Sequence, residues 1–280
     1  MMEQTEKLRV SLFDPSGNIT ALVESPVALP AQPSVAARIM ARCPQVEQVG
    51  FVTLPENGTG PVALRMAGGE FCGNASMSAA ALYRLRRADA APSDAWETVR
   101  LRVSGVRRAV EVRLKSEAEG SFSSSVRMPP ALSVTEQVFP FGARRCPITV
   151  VRMEGIDHAI VTPASGFFPL RCDQAAAGET ARRLCAALGA KALGLLFLEG
   201  DAPKMRLTPL VYVPGSGTMI WESSCASGSA AVGTALSERS GARVCLDLEE
   251  PGGVLRVESG GMRGETFLAG RTRLVKEEIV

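Results

Sequence analysis

The order of predicted strands and helices in the first half of the chain recurs in the second half, and this recurrence limits the fold most. Alternating apolar and polar residues predict strands at 8–13, 19–23, 50–54, 62–66, 99–103 and 110–114, with helices at 34–43 and 72–86. After Met128-Pro129-Pro130 the pattern predicts strands at 148–153, 159–162, 193–198, 205–213, 254–257, 266–269 and 272–275, with helices at 180–188 and from Cys225 onward. A repeat of roughly 130 residues is far too long for a solenoid. We therefore predict an α+β fold of two similar domains.

The composition is typical of a globular protein and gives no indication of a strongly charged partner. Of the 280 residues 46% are hydrophobic, and 31 basic and 29 acidic side chains leave a formal net charge of +2. This near balance provides no excess of positive charge for binding nucleic acid. No apolar run reaches the roughly 18 residues of a membrane span. The polar start at residues 1–7 is unlike a signal peptide. We predict a cytoplasmic protein with no nucleic-acid or membrane partner.

The seven cysteines are odd in number and widely spaced, and the sequence contains no Cys-x-x-Cys pair or Cys/His cluster. This pattern predicts neither a disulfide framework nor a metal site, and it favours a reducing compartment. For five of the cysteines a packing role is the default interpretation: Cys43, Cys146, Cys172, Cys185 and Cys245.

The other two cysteines stand in matching contexts, one in each half. Cys72, in Gly69-Glu70-Phe71-Cys72-Gly73-Asn74-Ala75-Ser76, and Cys225, in Trp221-Glu222-Ser223-Ser224-Cys225-Ala226-Ser227-Gly228-Ser229, each precede small residues and a predicted alanine-rich helix. Unpaired amides and the positive dipole end at a helix start favour a thiolate, so we expect each pKa to fall from about 8.5 toward neutrality. Small neighbours leave the amides open to a carboxylate. Either cysteine alone would be interpreted as a core residue, but the matched pair favours catalysis.

The two motifs resemble those of the diaminopimelate-epimerase-like family, which includes cofactor-independent amino-acid racemases and epimerases and the proline racemases. Cys72-Gly73-Asn74-Ala75 and Cys225-Ala226-Ser227-Gly228 match the family's two cysteine motifs in type and order, with Ala75 and Ala226 in place of glycines. Ser16-Gly17-Asn18-Ile19 resembles the family's Gly-Asn-Asp-Phe turn, and Gln48 stands where a ligand-facing glutamine is expected. Gly155-Ile156-Asp157-His158 replaces Gly-Asn-Pro-His. The resemblance extends over essentially the whole chain.

The resemblance implies two pseudo-symmetric domains, each with a sheet wrapped around a central helix, and a site in the cleft between them. Domain one then comprises residues 1–128 with a returning C-terminal strand at 264–280, and domain two comprises residues 129–263. It also implies that one cysteine removes the substrate's α-proton as a thiolate while the opposite thiol delivers a proton to the other face. No cofactor is implied, the partner is a small amino-acid substrate, and a homodimer is left open.

Departures from the family pattern narrow the substrate. The stretches with which diaminopimelate epimerases hold the distal end of their substrate are replaced here at 66–71, at Ile156 and at 214–218, which excludes that substrate. The Gly-Gly-Glu-Phe-Cys and Trp-Glu-x-x-Cys stretches are instead similar to those of histidine racemases of opine-metallophore pathways. The implied substrate-binding residues are Asn18, Gln48, Glu70, Gly73, Asn74, Glu222, Ala226 and Ser227.

Two alternatives remain at this stage. The chain is either a racemase or epimerase of another amino acid in the same fold, or a non-catalytic protein that binds an amino-acid carboxylate at its two helix starts. His158, the single histidine of the chain, is expected to have a structural or supporting role.

Overall fold

Sixteen strands and four α-helices run through residues 7–55, 60–87, 94–142, 144–202 and 204–280, which are the parts that the computed structural model describes. The strands are β1 Arg9–Pro15, β2 Thr20–Val23, β3 Gln48–Thr53, β4 Val62–Met66, β5 Glu97–Val103, β6 Val110–Ala118, β7 Ser121–Arg127, β8 Ser133–Phe141, β9 Arg144–Arg152, β10 Asp157–Val161, β11 Leu193–Asp201, β12 Lys204–Val213, β13 Thr218–Trp221, β14 Val244–Glu250, β15 Gly253–Ser259 and β16 Thr266–Ile279. The helices are α1 Gln32–Arg42, α2 Gly73–Arg86, α3 Gln174–Leu188 and α4 Ala226–Ser240.

The first seven strands and β16 close on themselves. Neighbouring strands in the order β1 to β7 pair in sequence, β16 joins β7, and β16 also pairs with β1. Most pairs are antiparallel, but β2–β3 and β4–β5 are parallel. Parallel neighbours need a crossover, and α1 and α2 supply these two. The result is a mixed sheet that forms a barrel.

The remaining strands extend this sheet from the other side of β16. Their order is β16, β15, β14, β12, β11, β10, β9 and β8, with β13 added to β12. The parallel pairs β10–β11 and β12–β14 are connected by α3 and α4. Because β16 pairs with β15 through its first residues and with β1 through its last, this one strand connects the two sets of strands.

The helices α2 and α4 are buried along most of their length because they are built from small residues. Positions 79–81 of α2 are alanines without exposed surface, and Ala230 and Ala231 of α4 are equally buried. A Cβ atom on Gly233 would lie 2.4 Å from a methyl carbon of Val257, so the strand approaches α4 closely at this glycine. Helices that are apolar or small on every side belong inside a protein. Each helix therefore lies on the concave side of its strands.

Most predicted elements are present, and the differences have local causes. The strand predicted at 62–66 has these bounds in β4, but the helix predicted at 180–188 begins at Gln174, where Asp173 caps it by accepting a hydrogen bond from the Ala176 amide at 3.0 Å. The two strands predicted at 266–275 are one long strand, β16. Four strands were not predicted: β7, β8, β13 and β14. Serines on β7 and the brevity of β13 hide the alternation that identifies strands.

Two of the five cysteines assigned to packing are instead exposed. Cys245 lies on the outward side of β14, and Cys172 lies at the end of a short 3-10 helix. Strand alternation places Leu246 and Leu248 inward, which turns Cys245 outward. No helix within the described ranges is long and apolar enough to cross a membrane. The polar start at residues 1–6 lies outside the described residues.

Candidate active site

One cavity lies where the N-terminal ends of α2 and α4 meet. Cys72 and Cys225 both line it, together with seven of the predicted substrate-binding residues: Gln48, Glu70, Gly73, Asn74, Glu222, Ala226 and Ser227. Asn18 does not line the cavity, because it is fully buried behind Gln48. The tertiary structure thus brings together residues that are about 150 positions apart in the sequence, as helix packing inside a continuous sheet allows.

The two helix starts touch at small residues. Cys72 and Cys225 occupy the cap positions before α2 and α4, both with extended backbone, and a Cβ on Gly73 would lie only 2.8 Å from the Cβ of Ala226. The Cys72 sulfur accepts a hydrogen bond from the Ala75 amide at 3.3 Å. A larger side chain at Gly73 would push the helices apart, so the small residues of the motif set the distance between the two ends.

A directional chain of hydrogen bonds connects Cys72 to the residue before Cys225. The Ser224 carbonyl accepts from Asn18 Nδ2 at 2.7 Å, and Asn18 Oδ1 accepts from Gln48 Nε2 at 2.5 Å. Because a carbonyl only accepts, the first bond fixes the orientation of the Asn18 amide, and the second fixes that of Gln48. Gln48 Oε1 therefore faces the Cys72 sulfur, at 2.9 Å, as an acceptor. Cys72 is a thiol in this arrangement.

Cys225 has acidic rather than amide partners. The negative charge of Glu222 acts on its thiol, whose sulfur lies 3.7 Å from the Ser227 hydroxyl oxygen. Its backbone amide donates to Glu250 Oε2 at 2.6 Å, and the hydroxyl of Ser229, one turn into α4, donates to Glu250 Oε1 at 2.5 Å. The surroundings of the two sulfurs thus differ in charge.

Burial and like charges raise the pKa of the acidic groups in the site. Burial, with smaller contributions from neighbouring glutamates, raises the pKa of Glu222 and of Glu250 to about 8, and burial raises those of Glu47 and Glu70 as well. Glu47, Glu70 and Glu222 line the cavity, whereas Glu250 lies behind Cys225, and no lysine or arginine lines the cavity within the described part of the chain.

The sequence-based expectation that the thiol pKa values fall toward neutrality is wrong for this arrangement. Burial and the charge of Glu222 raise the pKa of the Cys72 thiol above its usual range. Burial, Glu222 and Glu250 raise the pKa of the Cys225 thiol in the same way. The amides at the helix starts act in the opposite direction, but their effect is smaller than the loss of water around a buried charge.

Some polar atoms at the cavity lack partners. Glu70 Oε2 and Asn74 Oδ1 are buried without a hydrogen-bond partner. The amide oxygen of Asn74 can only accept a hydrogen bond, and so can the Glu70 oxygen when the carboxyl group is ionised. Unpaired buried acceptors are costly and suit a ligand that brings donors. The described residues contain no group of three His, Cys, Asp or Glu side chains arranged to hold a metal ion.

His158 lies apart from the cavity lining, on β10. Neither ring nitrogen has a hydrogen-bond partner, and burial lowers the pKa of the imidazole to about 3, so the ring is neutral. A Cβ on Gly194 of the neighbouring β11 would lie 2.3 Å from its Nδ1 atom. The ring therefore fills space that this glycine leaves open.

Sequence reasoning missed two carboxylates of the site. Glu47 lines the cavity and accepts a hydrogen bond from the Ser223 amide at 2.8 Å. Glu250 continues the inward series of Leu246 and Leu248 on β14. A carboxylate at an inward position of an alternating strand is a signal that the sequence does contain, but it is recognisable only once β14 is identified as a strand.

Comparisons with known proteins agree on one kind of enzyme. Residues 7–267 match the protein family described as the histidine racemase CntK N-terminal domain. A histidine racemase of Fusobacterium nucleatum subsp. nucleatum is 28% identical over 228 residues, covering 79% of this chain and 77% of that protein. A histidine racemase of Staphylococcus aureus is 28% identical over 255 residues, covering 90% of this chain and 88% of that protein.

The fold is also similar to that of a solved structure. A probable proline racemase from Agrobacterium radiobacter K84, crystallised with bound carbonate, superposes with a TM-score of 0.72 at 15% identity. The match covers 98% of this chain and 92% of that one. At this identity the likeness concerns the fold, which hosts different substrates on related scaffolds.

Proposed function

The chain belongs to the family of the histidine racemase CntK N-terminal domain, and we propose that it racemises histidine by moving a proton at the α-carbon between Cys72 and Cys225, without a cofactor. It is an amino-acid racemase, an isomerase that acts on a small-molecule substrate. The observation that carries the proposal is the meeting of two cysteines, each at the start of a buried helix, in one acid-lined cavity.

Two sulfurs are needed because racemisation removes a proton from one face of a carbon and adds one to the other. One cysteine, as a thiolate, takes the α-proton, and the electron pair of the broken C–H bond passes into the substrate's carboxylate. The opposite thiol then donates its proton to the other face, so the two cysteines exchange protonation states in each turnover. The substrate carboxylate is held by the amides at the helix starts, at Gly73, Ala226 and Ser227.

The acidic lining supports a substrate with positive charge beyond its α-ammonium. Glu47, Glu70 and Glu222 face the cavity, and one ammonium group offsets only one of these carboxylates. An imidazole side chain adds two nitrogens that donate hydrogen bonds when protonated. Glu70 Oε2 and Asn74 Oδ1 are free to accept such bonds. Another basic amino acid is the second candidate, because the same lining would hold it.

Binding of a cationic substrate also explains how a thiolate forms at neutral pH. In the empty cavity burial, together with the neighbouring carboxylates, raises the pKa of both thiols. A bound cation offsets this negative charge and lowers the cost of ionising a sulfur. Proton removal is thereby coupled to occupancy of the site.

The organisation of the molecule is part of the proposal. We infer two pseudo-symmetric domains, 1–128 with 264–280 and 129–263, supported by the same alternation of antiparallel and parallel pairs on each side of β16. We infer a cytoplasmic location, since the mechanism needs free thiols and all seven cysteines are unpaired in the described chain. A homodimer remains a prediction that light scattering would check.

The decisive experiment follows exchange of the α-proton for deuterium by NMR, with each L-amino acid in turn. We expect histidine to lose its α-proton signal fastest. Cys72→Ser and Cys225→Ser should each lower racemisation at least about a thousandfold, because a hydroxyl is a far weaker acid than a thiol. The residual exchange should favour opposite enantiomers in the two variants. Cys172→Ser, at an exposed position, serves as the control.

Three outcomes would contradict the proposal. If no amino acid exchanged its α-proton, the interpretation as a non-catalytic binding protein would remain. Fastest exchange with an amino acid other than histidine would assign a different substrate. Near-normal turnover of either site variant would mean that another group carries the proton.

A further inference from the structure

Glu250 is the most completely buried carboxylate beside the proposed reaction centre, and the two-cysteine mechanism assigns it no role. It is 7% exposed and ends β14 on the inward side. Both of its oxygens are held, one by the Cys225 amide at 2.6 Å and the other by the Ser229 hydroxyl at 2.5 Å. No lysine or arginine of the described chain lies within ion-pair distance of Glu250. A buried carboxyl group without a counter-ion is costly to ionise, so its position needs an explanation.

The contacts of Glu250 fix the backbone from which the Cys225 side chain projects. Cys225 caps α4, and its carbonyl accepts from the Ser229 amide at 2.8 Å as the helix begins. Glu250 holds the amide of Cys225 and the hydroxyl of Ser229 at the same time, so it spans the first turn. With both backbone polar groups of Cys225 held, the direction of the Cα–Cβ bond that carries the sulfur is set.

The charge of Glu250 acts on the same sulfur. The ionisable groups around Cys225 and Glu250 are all acidic: Glu47, Glu70, Glu222 and the Cys72 thiol. From β10, which packs against α4, His158 contributes a neutral ring. Once Glu250 is ionised, it opposes a second negative charge on Cys225 at close range, with no cation among the described residues nearby to offset it.

The corresponding place at the other cysteine is neutral. β5 follows α2 as β14 follows α4, and the residue after β5 is Ser104. Its hydroxyl donates to the Glu70 carbonyl at 2.7 Å and accepts from the Met66 amide at 2.9 Å. Ser104 thus supports the backbone before Cys72 without adding charge. A neutral hydroxyl therefore supports the backbone before Cys72, whereas a carboxylate holds the Cys225 amide itself.

We propose that Glu250 is a positioning residue that holds the backbone behind the Cys225 sulfur, and that its carboxylate, once ionised, opposes ionisation of that sulfur until a cationic substrate is bound. This deepens the racemase function proposed above and rests on it. In the empty enzyme both sulfurs are thiols, and Cys225 is the one with Glu250 hydrogen-bonded to its backbone amide. The charge of a bound substrate offsets Glu222 and Glu250, and Cys225 then accepts or gives up a proton as the direction of the reaction requires.

The test measures the alkylation of each cysteine by iodoacetamide as a function of pH, using mass spectrometry of peptides. In Glu250→Gln the amide keeps an oxygen for the Cys225 amide but removes the charge. We expect the alkylation midpoint of Cys225 to fall by at least about one pH unit. At pH 8 its rate should rise about threefold or more, since a lower thiol pKa raises the thiolate fraction more than it lowers nucleophilicity. The Cys72 profile should move less.

The matched control is Glu249→Gln, the same change one position earlier on β14, where the side chain is exposed. It should leave both alkylation profiles and turnover unchanged. Glu250→Asp keeps the charge but shortens the reach, so we expect lower kcat with a Cys225 midpoint that stays high. An unchanged Cys225 profile in folded Glu250→Gln, or an equal shift in Glu249→Gln, would overturn the proposal.

The alkylation readout does not depend on turnover. If wild-type protein shows no α-proton exchange with any amino acid, the racemase proposal fails, whereas the effect of Glu250 on Cys225 is still measured. If exchange occurs but the Cys225 midpoint does not move, the racemase function stands and the role of Glu250 is wrong. Circular dichroism and a urea melt of each variant establish that it is folded before the comparison.

Discussion

The substrate-free protein should lose stability as the pH rises from 6.5 to 8, the opposite of what ion-paired carboxylates produce. Burial raises the pKa of Glu222 and Glu250 from 4.5 to about 8 in the folded chain. Between these values the folded state holds protons that the unfolded state has released, so the free energy of unfolding falls with increasing pH. Two such groups remove up to about 4 kcal/mol over this interval, at about 1.4 kcal/mol per pH unit each.

The lower limit of pH 6.5 is set by His158. Burial lowers the pKa of its imidazole from 6.5 to about 3, so between these values the unfolded chain binds the extra proton and the contribution of His158 to stability rises with pH. Below pH 6.5 the contribution of His158 offsets that of one of the two carboxylates, so the free energy of unfolding falls less per pH unit. Above it the carboxylates act alone, and the slope should steepen.

Urea unfolding at half-unit pH intervals, with a reductant present, measures this slope. Glu250→Gln should reduce it by about half, because one of the two titrating groups is removed. Glu249→Gln, at the exposed neighbour, should leave it unchanged. Added histidine should stabilise the protein more at pH 8 than at pH 6.5, since the ionised carboxylates hold a cation. A wild-type free energy of unfolding that is flat or rises between pH 6.5 and 8 would refute the reasoning.

Three further results are expected. Gly73→Ala should lower the free energy of unfolding in urea by about 1 to 3 kcal/mol and lower turnover, because its Cβ would lie 2.8 Å from that of Ala226. In the control variant Gly178→Ala the nearest atom to the new Cβ would be 3.9 Å away, so stability and turnover should not fall. Asn18→Ala should lower kcat and lower the free energy of unfolding by about 1 to 3 kcal/mol, since it leaves buried partners with fewer hydrogen bonds. An unchanged kcat would show that the orientation of the Gln48 amide has no role in catalysis. Oxidation without substrate should join Cys72 to Cys225, as peptide mass spectrometry would show, whereas both thiols free in oxidised, inactive protein would contradict this.

Much of the secondary structure could be predicted because it is encoded locally. The alternation at 62–66 predicts β4 with its final bounds, and the alanine-rich stretch after Cys72 predicts α2 to within one residue. The two cysteines are at helix starts, where the pattern of small residues places them. Strands without a clear alternation, such as the serine-rich β7, could not be predicted, because their pairing with β6 and β16 rather than their own sequence makes them strands.

The chemistry of the site was decided by the tertiary structure. The residue types that begin α2 and α4 follow from the sequence, and a helix start considered alone predicts lowered thiol pKa values. Packing then buried those sulfurs and brought Glu222 close to Cys72 and Glu250 close to Cys225, and this reversed the direction of the shift. A helix dipole is a local property that a sequence motif carries with it. The loss of water and the convergence of charges depend on which distant segments come together, so only the folded chain determines the protonation of the two cysteines.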